Sequence, residues 1–140
     1  MVLGWVNLQE PLPFSKNLGR QSQQEFLGFK TDLMAFLCFY VTHPNAETAQ
    51  KISRSLIDRK LVACANQFSM ESAYWWQGAV EQEGEIVTIL KTVPENQKAV
   101  ELAIAELHPY EVPCILFWTV EANTAYENWI RDATVVQDPV

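Results

Sequence analysis

Between Ala35 and Val41 every side chain is apolar or aromatic: Phe36, Leu37, Cys38, Phe39 and Tyr40 follow one another without a polar break. A strand with one wet face alternates apolar and polar residues, because successive side chains point to opposite sides of the sheet. This run does not alternate, so it demands burial on both faces. Ile115, Leu116, Phe117 and Trp118 repeat the pattern within the strand expected from Cys114 to Val120. Whatever sheet the chain builds must be covered on two sides.

The connecting segments set the order of elements. Pro44 discourages helix before Asn45, which stands as an N-cap for a helix with Ala46, Ala49, Ile52, Leu56 and Lys60 at helical spacing. Val62 to Gly78 reads as a long strand carrying Tyr74, Trp75 and Trp76, and Val80 to Thr92 as its partner across a polar turn. Pro94 marks a second helix with Val100, Ile104 and Leu107 as its buried stripe. Asn123 caps a last short helix whose inward residues are Tyr126, Trp129 and Ile130. The order is βαββαβ followed by α.

Two right-handed split βαβ units of this order give an α+β, ferredoxin-like antiparallel sheet with both main helices on one face. The other face would meet water in a lone domain, yet the first and last strands are apolar there too. The chain is therefore expected to oligomerise, with subunits covering one another's open faces.

Composition bounds the rest. The 140 residues, 49% hydrophobic, suit one compact domain over residues 34–140. Residues 1–33 differ in texture: Pro11, Pro13, Gly4, Gly19 and Gly28 interrupt any periodicity, so an irregular or flexible extension is expected. Within it, Ser22 and Glu25 have capping-box spacing for a short helix over about residues 23 to 30. No apolar run approaches the roughly 20 residues of a bilayer span, and the first residues lack a secretory pattern. Three cysteines without regular spacing speak for a reducing, cytoplasmic setting. The net charge is −7, and no Lys or Arg occurs between Lys60 and Lys91, where Glu71, Glu81, Glu83 and Glu85 fall. Such a stretch repels nucleic-acid phosphates and tolerates cations. A nucleic-acid partner is thus not expected despite Tyr74, Trp75 and Trp76, which are read as interface packing.

The segment Leu107 to Pro113 concentrates chemistry. Pro109 and Pro113 stiffen a loop that carries His108, Tyr110 and Glu111. The predicted topology puts this loop, the end of the first strand with His43, and the hairpin with Glu81 and Glu83 at one end of the sheet. Cys64, at the start of the second strand, falls at the opposite end.

Four strings together, Ala63-Cys64-Ala65-Asn66, Ser72-x-Tyr74-x-Trp76-x-Gly78, Leu90-Lys91-Thr92 and His108-Pro109-Tyr110-Glu111-Val112-Pro113, resemble the CutA family of divalent-cation tolerance proteins over about Phe36 to Ala133. The resemblance implies a ferredoxin-like homotrimer whose long second and third strands reach into neighbours, and a role in tolerance of copper and other divalent metals. Cys114 stands where relatives usually have a glutamate, and Val41 where some have a cysteine.

The donors available for such a metal are His108, Cys114, Glu111, His43 and Cys64, since imidazole and thiolate suit copper and zinc. Each has a competing structural reading. Cys64 lies among Val62, Ala63 and Ala65 as a small hydrophobe would, His43 suits a solvated loop, and His108 suits a helix C-terminal cap favoured by the dipole. Cys38 lies mid-strand and is read as core. No CxxC or HxxxH spacing occurs, so weak or inter-subunit binding of Cu(II) or another divalent cation is expected, with no obligatory cofactor. Catalysis is not expected: a cysteine opening a strand lacks an orienting third group, and Glu81, Glu83 and Glu85 read as a solvated hairpin. The alternative reading is a trimeric signalling or scaffolding module, similar in fold to the nitrogen-regulatory PII proteins, that holds a small ligand or partner protein in its inter-subunit clefts.

Overall fold

The computed structural model describes residues 35–136, so the extension expected at 1–33 and its short helix lie outside the described residues. The elements follow the expected order: β1 (Phe36–His43), α1 (Ala46–Asp58), β2 (Cys64–Trp76), β3 (Ala79–Thr92), α2 (Gln97–Leu107), β4 (Ile115–Val120) and α3 (Thr124–Ala133), with a 3₁₀ turn at Pro94–Asn96 before α2. The sheet runs β2-β3-β1-β4 and every pairing is antiparallel. This is the ferredoxin-like arrangement, with β1 and β3 at the centre.

The two faces of β1 are buried by different means. Leu37, Phe39 and Val41 face α1 and α2 and pack with Ile52, Leu56, Leu90, Val100, Ala103 and Ile104 in the main core. Phe36 and Cys38 point the other way and are covered by Ile130 and Tyr126 of α3, with Val93 beside them. The C-terminal helix thus covers, within one chain, part of the face assigned above to neighbouring subunits. Its inward set is corrected as well. Ile130 is buried and Tyr126 half-buried, but Trp129 is 44% exposed and Glu127 is buried instead. The Glu127 carboxylate accepts the Ala122 N–H at 2.8 Å, tying the residue before the N-cap back onto the helix, and the Asn123 side chain makes no capping hydrogen bond. In α2 the third core position falls to Ala103, while Leu107 is 37% exposed at the helix end.

Local sequence explains the ends of the other elements. Asn45 Oδ1 accepts the Thr48 N–H at 2.8 Å, as its N-cap position requires. At the far end of α1 the Lys60 and Leu61 amides donate to the Ile57 and Leu56 carbonyls, a Schellman closure that puts Lys60 at φ 54°. Gln77 and Gly78, at φ 50° and 82°, make the two-residue turn between β2 and β3. Two positive φ angles match the right-handed twist of a hairpin. The β1–β3 ladder ends at His43 opposite Ile86, while β2 and β3 stay paired as far as Trp76 opposite Ala79. From Ala79 to Glu85, β3 has β2 as its sheet partner, and the hairpin projects beyond the four-stranded sheet.

Candidate functional site

The face of the sheet away from α1 and α2 is not fully covered by α3. Past Cys38, the same alternation that buries Phe36 turns Tyr40 and Thr42 toward an open cleft of about 880 Å³. The projecting hairpin forms one wall with Met70, Ser72, Tyr74, Trp76, Glu83 and Glu85, and the loop after α2 forms the other with Pro109, Tyr110, Glu111, Val112 and Cys114. Two-residue alternation explains why these hairpin residues share a face: in register, Ser72 stands opposite Glu83 and Tyr74 opposite Glu81. Among the described residues the lining contains four glutamates and no Lys or Arg.

Hydroxyl groups organise the carboxylates. Glu85 accepts the Ser72 hydroxyl at 2.6 Å on one oxygen and the Tyr110 hydroxyl at 3.1 Å on the other, tying hairpin to loop. Tyr74 donates its hydroxyl to Glu83. The Tyr74 phenol is pushed up to about 12, first by that bond and then by desolvation and the surrounding glutamates. Tyr110 is likewise pushed up to about 12, chiefly by burial and then by its bond to Glu85. Both phenols therefore stay protonated and donate. The Cys114 thiol is raised by burial and by Glu85, which disfavours a free thiolate. Glu81 and Glu83 are exposed, as a solvated hairpin requires, whereas Glu85 is half-buried, and Glu83 and Glu85 both take part in the cleft's hydrogen bonds. The signal that would have found them is the matched alternation of Ser72 and Tyr74 against Glu83 and Glu85 across the Gln77-Gly78 turn.

The structure does not assemble the five expected donors into one site. Among the described residues no group of three His, Cys, Asp or Glu side chains is placed to hold a metal ion. Cys64 sits at the other end of the sheet, opposite Lys91, with its sulfur 3.8 Å from the Tyr126 hydroxyl. Cys114 and Glu111 line the cleft, and Cys114 precedes β4 rather than opening it.

The histidines are placed together, but not as expected. His43 is no solvated loop residue: it ends β1, is wholly buried, and has its Nε2 2.9 Å from the Thr88 hydroxyl. The His108 ring lies 5.2 Å from the His43 ring, stacked at 24°. Its Nε2 is 2.7 Å from the Thr42 carbonyl oxygen, and the Tyr110 N–H points at its Nδ1 at 3.1 Å. A carbonyl only accepts and an amide N–H only donates. His108 is therefore neutral, with its hydrogen on Nε2 and its Nδ1 lone pair in use. No nitrogen is left for a metal, and none is protonated to complement a helix dipole. His108 closes α2 through its backbone N–H to Ile104 instead.

A profile of the CutA1 divalent ion tolerance protein family matches residues 37–133. The chain belongs to this family. Over 97 residues it is 41% identical to the divalent-cation tolerance protein CutA of Thermotoga maritima, covering 69% of this chain and 96% of that one. Among solved structures, Pyrococcus horikoshii CutA superposes with a TM-score of 0.70 at 36% identity, over 71% of this chain and 99% of the other. Oryza sativa CutA1 gives 0.71 at 31% identity, over 74% and 96%. The matched span of this CutA1-family chain contains β1 through α3, and with them both walls of the cleft. No helix among the described residues is long and apolar enough to cross a membrane.

Proposed function

We propose that this chain is a divalent-cation tolerance protein that binds copper or a related divalent cation at the acidic part of the cleft, as a cytoplasmic homotrimer without catalytic activity. The supporting observation is that Glu83, Glu85, Glu111 and Cys114 line one cleft whose described residues include no Lys or Arg. Carboxylates with one lone pair already engaged keep others for a cation, and a thiol adds affinity for copper. Because the described residues of one chain supply no finished ligand group, a neighbouring subunit is the natural source of the remaining donors. The exposed apolar side chains of Trp75 (76%), Trp76 (54%), Leu116 (54%) and Trp118 (45%) are the surface such neighbours would cover. Three free cysteines suit a reducing compartment. Both His108 ring nitrogens are engaged in hydrogen bonds and burial disfavours the Cys114 thiolate, which supports a binding role over catalysis.

Calorimetric titration of the full chain with Cu(II), in wild type, Glu85→Gln and Cys114→Ser, tests the site. Weaker binding in both variants is expected; unchanged binding in both removes the cleft from the reading. Sedimentation tests the trimer, and a stable folded monomer at micromolar concentration overturns it. The second reading, a PII-like trimeric module for a small organic ligand or partner, is favoured by the cleft's size. About 880 Å³ exceeds what a cation needs and falls within the roughly 300 to 1,000 Å³ of small-molecule sites. Absence of Cu(II) binding in the wild type would favour it.

A further inference from the structure

The cation reading makes no use of the one buried pair of titratable rings, nor of how the cleft's loop wall is held. Pro109 and Pro113 have no N–H to donate, and among the described hydrogen bonds residues 109 to 112 make two, both from Tyr110. One goes to Glu85 across the cleft. The other is the Tyr110 N–H on His108 Nδ1, which exists only while that nitrogen carries a lone pair.

We propose that the stacked His43 and His108 rings form an acid-released latch on the loop from His108 to Pro113, in which protonation of His108 releases the Tyr110 amide and loosens that wall of the cleft. An added proton on His108 Nδ1 would face the Tyr110 N–H, donor against donor, so the bond must break. Nε2 would keep its bond to the Thr42 carbonyl, leaving the ring anchored to β1 while the Tyr110 amide lets go and, among the described hydrogen bonds, the loop is held by the Tyr110 hydroxyl on Glu85 alone. Two histidines are the whole imidazole complement of the chain. His43 is the more deeply buried, and burial together with the neighbouring ring pushes its pKa down to about 4. Above that pH His43 stays neutral, and the hydrogen bond that a proton would break is the one on His108 Nδ1.

The surroundings do not counteract this. β1 offers the Thr42 carbonyl, β3 the Thr88 hydroxyl, and α2 the Ile104 carbonyl to the His108 amide. The loop offers Tyr110, whose ring lies 4.8 Å from His108, and behind its hydroxyl stands the Glu85 carboxylate. Among the described hydrogen bonds, none joins a charged side chain to either ring. The His43 Nδ1 is buried without a hydrogen-bond partner. The latch is independent of what occupies the cleft.

Nuclear magnetic resonance on the isotope-labelled full chain tests it. At about pH 7.5 the ring nitrogens of His108 should report the Nε2–H tautomer. On lowering to about pH 5.5 the hydrogen-exchange protection of the Tyr110 amide should fall roughly tenfold or more, in step with proton uptake by His108, while β1 amides keep theirs. Three results overturn the proposal: an Nδ1–H tautomer at neutral pH, a Tyr110 amide that keeps its protection while His108 titrates, or a His108 that stays neutral until the whole chain unfolds. The wild type suffices, so a variant that fails to fold cannot obscure the answer. Tyr110→Phe serves as the control, since it removes the tie to Glu85 and must leave the amide's pH response in place.

Discussion

His43 and His108 stack with ring centroids 5.2 Å apart and planes 24° from parallel, joining the end of β1 to the end of α2. Two neutral imidazoles can share an apolar site in this way. Two imidazoliums cannot, and the contact makes the fold sensitive to acid.

The His43 pKa is lowered from 6.5 to about 4, by burial first and by His108 second. An unfolded chain therefore binds this proton more readily than the folded one. The associated stability is complete above about pH 6.5, declines as the pH falls, and is gone by about pH 4. A shift of this size corresponds to about 3 kcal/mol. Urea unfolding followed across this range should show the decline, and in His43→Gln the slope should flatten. The slope is the readout, because the variant also loses core packing. An unchanged slope would assign the acid sensitivity to carboxylates instead.

Glu83 and Tyr74 offer a spectroscopic check on the cleft. The hydrogen bond from the Tyr74 hydroxyl is the leading cause of a phenol pushed up to about 12. In Glu83→Gln the negative charge is removed, and that phenol should ionise closer to 10. Ultraviolet absorbance titration of wild type and variant would show one tyrosine moving to lower pH. If the tyrosine profile is superimposable, the bond does not persist in solution.

Lys60 holds φ 54° where a Schellman closure favours glycine. A side chain in that conformation costs about 1 kcal/mol. Lys60→Gly should therefore stabilise the chain by a few tenths to about 1 kcal/mol, the entropy of the unfolded glycine offsetting part of the gain. Thermal unfolding of the two proteins decides it, and a lower midpoint for the variant would contradict the assignment.

Phe39 is wholly buried and packs at 5.4 Å on Phe117, which is 40% exposed. Phe39→Ala should cost about 3 to 5 kcal/mol, whereas Phe117→Ala should cost far less in a monomer. Should the two cost the same in the assembled protein, Phe117 is buried by a neighbouring subunit. Comparing denaturation midpoints at several protein concentrations separates the cases.

Much of this architecture was legible in the sequence. Apolar runs at Phe36 and Ile115, Asn45 as a cap, Pro94 before α2 and the paired long strands each follow from local pattern, because period, capping and proline stereochemistry act within a few residues. The strings around Cys64, Lys91 and His108 carried the family in the same local way. What pattern alone assigned poorly was the employment of individual polar groups. His108 looked like a ligand or a charged cap, Glu85 like a solvated residue, and Trp129 like core.

Those assignments depended on residues far apart in sequence. The tautomer of His108 is set by the Thr42 carbonyl, sixty-six positions away, and the use of Glu85 by Ser72 and Tyr110 on opposite walls of the cleft. The second face of β1 was bound to be covered, since its side chains are apolar. That α3 covers Phe36 and Cys38 while Tyr40 and Thr42 open onto a cleft was decided only by packing. Periodicity states which side chains must leave water; the tertiary structure determines what meets them there, because burial energy carries no direction and hydrogen bonds do.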